Sequence, residues 1–261
     1  MLPGVYVARK KDGSVYYRAS ITYKNKHISL GSYEDEFSAH LVYTEAGKLL
    51  ADPGLDVESF DADGPIPFKK WVVLINFRDN GMYVKTPILL KERFFYYYFN
   101  PGDYLIFDID DLFYYSTHSI MRRGGHLFVA DFGMQVNILS RYGIKNFAVP
   151  GRDYIFLNGN STDFRSSNLK IINRYNGVRR IGDELSAVYE ARIHVNGDMI
   201  IGRYKTEEEA AVAYNKAAQT LIKNGIVREY QANYLEELSS DEYRELYKDV
   251  KISKRIKGYE R

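Results

Sequence analysis

The chain repeats itself. Leu30-Gly31-Ser32-Tyr33 returns as Ile201-Gly202-Arg203-Tyr204, and Ala39, Tyr43 and Ala46 return as Ala210, Tyr214 and Ala217, each 171 residues later. Upstream, Gly4-Val5-Tyr6 and Tyr17-Arg18-Ala19-Ser20-Ile21 correspond to Gly177-Val178-Arg179 and Tyr189-Glu190-Ala191-Arg192-Ile193. The copies differ in length by single residues in the turns, where insertions cost little. A repeat constrains the fold strongly, because one structural unit must serve two different sequences.

Each copy reads as three short strands and a helix. Tyr17, Ala19, Ile21 and Tyr23 alternate with Arg18, Ser20, Thr22 and Lys24, giving one apolar and one polar face. Lys24-Asn25-Lys26 supplies a turn, and Ile28 and Leu30 point back inward on the returning strand. Ala39, Val42, Tyr43 and Ala46 then recur at helical spacing as a stripe of mostly small residues. Small residues let the helix lie close on one sheet face. The opposite face is left open, a shape suited to a major groove. In the second copy Thr206 and Glu209 predict a capping box at the helix start.

These features resemble the Apetala-two/ethylene-response-factor DNA-binding domain: the Gly-Val start, the aromatic-x-Ala-x-Ile strand, the Leu-Gly-x-Tyr link and the Ala/Tyr helix. Such domains read DNA from the outward residues of the sheet. Carried over by position, the resemblance implies DNA contacts from Arg9, Lys10, Arg18, Ser20, Thr22, His27 and Ser29 in the first copy. In the second it implies Arg179, Arg180, Glu190, Arg192, His194 and Asn196. The first copy has Tyr6 where the family carries Arg, and the second has Asp198 and Ile200 where it carries Arg and Trp. Some contacts are therefore expected to be lost.

Between the copies, Asn158-Gly159-Asn160, Asp163, Arg165 and Ser166-Ser167-Asn168-Leu169 resemble the core of HNH-type homing nucleases. Ile155 and Phe156 stand where that family has a metal-binding Asp and a general-base His, and Asn137 stands where a further His is common. Isoleucine and phenylalanine can neither take a proton nor ligate a hard cation, so the resemblance implies a scaffold without its chemistry. Asn160, Arg165 and Asn168 are retained; they either grip phosphate or only brace the loop, since Asn-Gly-Asn is also a turn. Nearer the first copy, residues 51–67 hold three of the seven prolines and read as a linker or surface loop. Trp71–Phe77, Lys85–Lys91, Tyr104–Asp108 and His126–Phe132 read as strands. Asp108, Asp110 and Asp111 read as a loop or the start of a helix, and Phe94–Phe99 as sheet core.

The fold class expected is α+β. Two sheet-plus-helix modules at 1–52 and 174–228 flank a degenerate HNH-like (ββα-metal-like) domain at 68–173. A helical basic tail at 229–261 follows, its helix carrying Tyr243, Leu246, Tyr247 and Val250 on one face. With no cysteine, disulfides and thiolate zinc are excluded. No apolar run reaches membrane-spanning length and no signal peptide opens the chain, so a cytoplasmic, membrane-free protein is expected, in a bacterial or phage-infected cell. Six Lys/Arg against Asp12 in residues 1–30 give a local charge of +5 within a chain of net +2. Nucleic-acid binding would thus run through local basic patches. The expected function is sequence-specific binding of double-stranded DNA by a regulator of homing-nuclease ancestry, without cofactor or nuclease activity. Two other readings stay open: a working nuclease using Asp153, Asp163 or His126, and a protein-interaction factor.

Overall fold

Lys24 and Asn25 both adopt positive φ, 43° and 60°. This two-residue turn joins β2 (Val15–Tyr23) to β3 (Lys26–Tyr33). Turns of this kind match the twist of paired strands. With β1 (Val5–Arg9) they form an antiparallel sheet in the order β1-β2-β3. Helix α1 (Glu36–Ala51) follows, started by the Asp35 side chain accepting the Ser38 N–H at 2.8 Å. Ala39, Val42, Ala46 and Leu49 join Val5, Ala19, Ile28 and Leu30 in one core. The computed structural model describes residues 1–183 and 186–259.

The segment read as a strand at Trp71–Phe77 is a helix, α2 (Phe68–Asn80), ended by Gly81 in the left-handed conformation. Val72 through Arg78 are all buried, so no polar face betrays the helical period. A buried helix and a buried strand look alike in such a run. Residues 51–67 are not a free linker. Arg78, 9% exposed, donates to the carbonyls of Leu49, Asp52 and Leu55, satisfying the end of α1. Val57 and Ile66 also enter the core.

The strands β4 (Ile88–Leu90), β5 (Phe94–Asn100) and β6 (Asp103–Asp108) form a second sheet in chain order. Phe95, Tyr97 and Tyr98 of the aromatic run are buried, as expected of sheet core. The acids open a 3-10 turn at Ile109–Asp111 and then α3 (Leu112–Thr117). Next come β7 (Ile120–Arg123), β8 (His126–Asp131) and β9 (Met134–Asn137) in a sheet, and a 3-10 turn at Ile138–Tyr142. Strands β10 (Tyr154–Phe156) and β11 (Leu169–Ile171) pair antiparallel. Among the described residues no α-helix lies between β11 and the second copy, to which the chain passes directly.

That copy repeats the first. β12 (Val178–Ile181), β13 (Val188–His194) and β14 (Asp198–Tyr204) form a three-stranded sheet, and α4 (Glu207–Lys223) starts with the expected Thr206/Glu209 capping box. The correspondence extends to details. Both sheets carry a bulge at the same place, between Ala19 and Ser20 and between Ala191 and Arg192. The residue after each bulge donates its N–H to the opening glycine: Ser20 to Gly4 O at 3.0 Å, Arg192 to Gly177 O at 2.7 Å.

The tail is part of this core, not an appendage. Beyond α4 come α5 (Ser240–Asp249), with its own Ser239/Glu242 capping box, and the single turn α6 (Lys254–Lys257). Leu235, Val250, Ile252 and Ile256 are buried with the α4 residues, and Tyr243, Leu246 and Tyr247 pack against them. The terminal base Arg261 lies outside the described residues.

The chain divides into two compact units, Met1–Gln135 with Asn160–Asn168, and Val136–Gly159 with Leu169–Arg261. The stretch 68–173 expected as a central domain is thus shared between both. Segment 160–168 joins the first unit as a parallel neighbour of β6: Ile106 N–H donates to Thr162 O at 2.9 Å and Phe164 N–H to Ile106 O at 2.8 Å. Among the described residues no helix is long and apolar enough to cross a membrane.

Candidate nucleic-acid interface

In the second unit α4 covers one face of the β12-β13-β14 sheet. Register decides which side chains reach the other. Val178, Ala191 and Gly202 pair across the three strands, as do Arg179, Glu190 and Arg203 in the next row. Alternation sends the first row to the helix and the second to the open face. Beyond the bulge Arg192 pairs with Ile200 and His194 with Asp198 on that same open face. The face therefore presents Arg179, Arg192, Arg203, Ile200 and His194.

Arg180 does not belong there. It pairs with Tyr189 on the helix side, its N–H donates to Asn173 Oδ1 at 2.7 Å, and its Nε is buried. Asn196 lies past the end of β13 in the turn, donating to the Tyr259 hydroxyl at 3.0 Å. His194 reaches Asp198 Oδ1 through Nδ1 at 2.8 Å.

Glu190 points outward as expected but offers no surface. Its side chain is 0% exposed, because two arginines close over it: Arg192 Nε donates to Oε1 at 2.6 Å and Arg203 Nε to Oε2 at 3.0 Å. Burial alone would raise the Glu190 pKa, but the hydrogen bonds from Arg192 and Arg203 outweigh it and hold the carboxyl below its ordinary range. Glu190 is thus a fixed anion beneath two cations, with no exposed side-chain surface of its own. Arg203 is the residue the sequence reading missed. Its counterpart in the first copy is Ser32, so the repeat gave no signal, but outward alternation along β14 from Asp198 and Ile200, once the bulge is counted, leads to it.

The first sheet is weaker in charge. Its open face carries Tyr6, Arg18, Thr22, His27 and Ser29, the last four on β2 and β3. Arg18 donates to the Tyr16 hydroxyl at 2.7 Å with its guanidinium 5.4 Å from that ring. Thr22, His27 and Ser29 are exposed. Three assignments change. Ser20 pairs with Ser29 on the open face but is only 7% exposed. Arg9 shares its face with Val5 and Val7, the helix side of the sheet, at the exposed strand end. Lys10 lies beyond β1, its backbone closing the turn to Ser14.

Asn160, Arg165 and Asn168 all make hydrogen bonds within their own loop. Asn160 Oδ1 accepts from the Thr162 N–H and hydroxyl at 3.0 and 2.9 Å. Asn168 is 5% exposed and donates to Asp163 O at 2.8 Å. Arg165 grips Asp163 through two nitrogens at 2.8 and 2.7 Å and lies over Phe94. Asp163, itself 1% exposed, is thereby committed to an ion pair. Asp153 is likewise committed. Burial pushes its carboxyl up, but hydrogen bonds from Arg152 and the Val149 N–H, with the charge of Lys145 at 3.1 Å, hold it low. A carboxylate so stabilised is a poor base. Among the described residues no three His, Asp or Glu side chains converge to hold a metal. Compared with protein-family models, curated proteins and solved structures, the chain finds no match.

Proposed function

We propose that this protein binds double-stranded DNA sequence-specifically, as a regulator of homing-nuclease ancestry with two Apetala-two-like modules and no nuclease activity. One observation carries the reading: a sheet with one face covered by α4 and the other presenting Arg179, Arg192 and Arg203. A twisted three-stranded sheet can enter a major groove, and arginine is the side chain best matched to guanine edges and phosphates. The first module, with Arg18, Thr22, His27 and Ser29, adds a second contact.

Retention of the full chain on duplex DNA across a salt series tests this. Affinity is expected to fall at least about tenfold between 50 and 200 mM salt, the drop that two or more phosphate contacts produce. No retention, or retention indifferent to salt, would overturn the proposal.

The second expectation is that Mg²⁺, Mn²⁺ or Zn²⁺ supports no nicking or cutting of the bound duplex. It rests on Ile155 and Phe156, and on Asp153 and Asp163 being held in ion pairs. Metal-dependent cleavage abolished by Asp163→Asn would show a working nuclease instead.

A further inference from the structure

We infer that Arg192 and Arg203 act as one two-pronged reading head for guanines on neighbouring base pairs, with Glu190 as the residue that positions both. The inference rests on the DNA-binding reading above and narrows it to a ligand. Three features of the open sheet face carry it.

First, both arginines are bonded to the carboxylate through Nε, at 2.6 and 3.0 Å. Among the described residues no hydrogen bond takes up their terminal amino groups, so each keeps donors for another planar acceptor. The O6 and N7 atoms of guanine are such an acceptor pair. Second, the anchoring is rigid. Glu190 is 0% exposed, whereas Arg192 and Arg203 remain 41% and 64% exposed. An arginine tethered at Nε has lost most of its rotamer freedom before binding, so docking costs less entropy. Third, one carboxylate holds both Nε atoms within 3.0 Å of its oxygens. Their Nε atoms therefore lie no farther apart than that carboxylate and its two hydrogen bonds span, on the order of two base-pair steps of about 3.4 Å each. A buried carboxylate under solvent-facing arginines does little for solubility and weakens the field toward phosphate. It suits geometry, and so readout, better than bulk attraction.

The test is selection of bound duplexes from a random pool by the full chain and three variants. The natural chain is expected to select two guanine columns within two base pairs. Arg192→Lys and Arg203→Lys keep the charge but lose the fork. Each is expected to erase one column while retention of random DNA stays within about twofold. Glu190→Gln replaces one acceptor oxygen by an amide that cannot accept from an Nε–H, releasing one arginine. The ratio of specific to random binding is expected to fall about tenfold or more. Thermal melting of each variant separates this from misfolding, and the lysine variants keep the test sharp if Glu190→Gln fails to fold. Guanine columns unchanged in both lysine variants would overturn the inference, as would Glu190→Gln with its specificity ratio intact. A natural chain that selects a preferred site without two neighbouring guanine columns would sink the reading head alone, and one that binds DNA with no base preference would sink sequence-specific recognition with it. A natural chain that retains no DNA would sink the DNA-binding reading as well.

Discussion

A chain ending at residue 228 is expected to lose its second unit while its first unit stays folded. The tail buries Leu235, Val250, Ile252 and Ile256 against α4 and the sheet, each at most 6% exposed. At roughly 1.5–3 kcal/mol per fully buried aliphatic side chain, these four contribute about 6–12 kcal/mol. The whole stability of a domain is only about 5–15 kcal/mol. Polar ties would go too. Asn233 donates and accepts with both Asn176 and Asn215, Lys216 Nζ donates to the carbonyls of Tyr247 and Val250, and Ser253 N–H donates to Ile201 O at 2.9 Å on the third strand. Truncation would leave these buried partners unpaired. The check uses the lone tryptophan, Trp71, which lies in the first unit. In urea the Trp71 fluorescence transition should persist in the 1–228 chain, while the far-ultraviolet signal of the second unit is already lost without denaturant. A 1–228 chain with its full circular-dichroism signal and the same midpoint would refute this.

How far the sequence reveals this fold varies element by element. The repeat was legible because glycine, alternation and small-residue spacing are local marks, and both modules form where they indicate. Helix α2 was not, because Trp71–Phe77 is apolar apart from Asn76, which is itself buried, and is rich in β-branched residues. Burial by α1 and the β4-β5-β6 sheet, which no local pattern encodes, decides it. The tail was legible as a helix through its Ser239 capping box, but its role in the core depends on long-range packing. In the candidate site, alternation counted from Val5 and Val178 would have placed Arg9 and Arg180 on the helix side. Glu190 was placed on the correct face, yet its burial follows from Arg203, thirteen residues away in sequence. The bulges at Ala19/Ser20 and Ala191/Arg192 shift the count by one, and the sequence marks them only through the distant glycines that hold them.

Those glycines set the last expectation. Gly177 has φ +68°, and a Cβ there would overlap the Tyr214 ring and the Arg192 carbonyl oxygen. Gly4 repeats the arrangement at φ +75° against Tyr43. Gly177→Ala therefore meets two penalties: about 1–2 kcal/mol for a side chain in the left-handed region, and about 1–3 kcal/mol for overpacking. Gly151 serves as the control within the same unit, since it has φ +79° with open space where a Cβ would stand. Gly151→Ala should cost only the conformational term, so Gly177→Ala is expected to exceed it by about 1–3 kcal/mol in urea unfolding. The damage should also reach the sheet face. Relief of the overlap must move Gly177 O away from the Arg192 N–H it accepts at 2.7 Å, and that bond holds the bulge that turns Arg192 outward. Gly177→Ala at a temperature where it remains folded is thus expected to lose the same base preference as Arg192→Lys, although position 177 carries no side chain toward the open face. Equal destabilisation by the two glycine substitutions would show that Tyr214 yields freely, and intact base preference would show that the bulge does not depend on this contact.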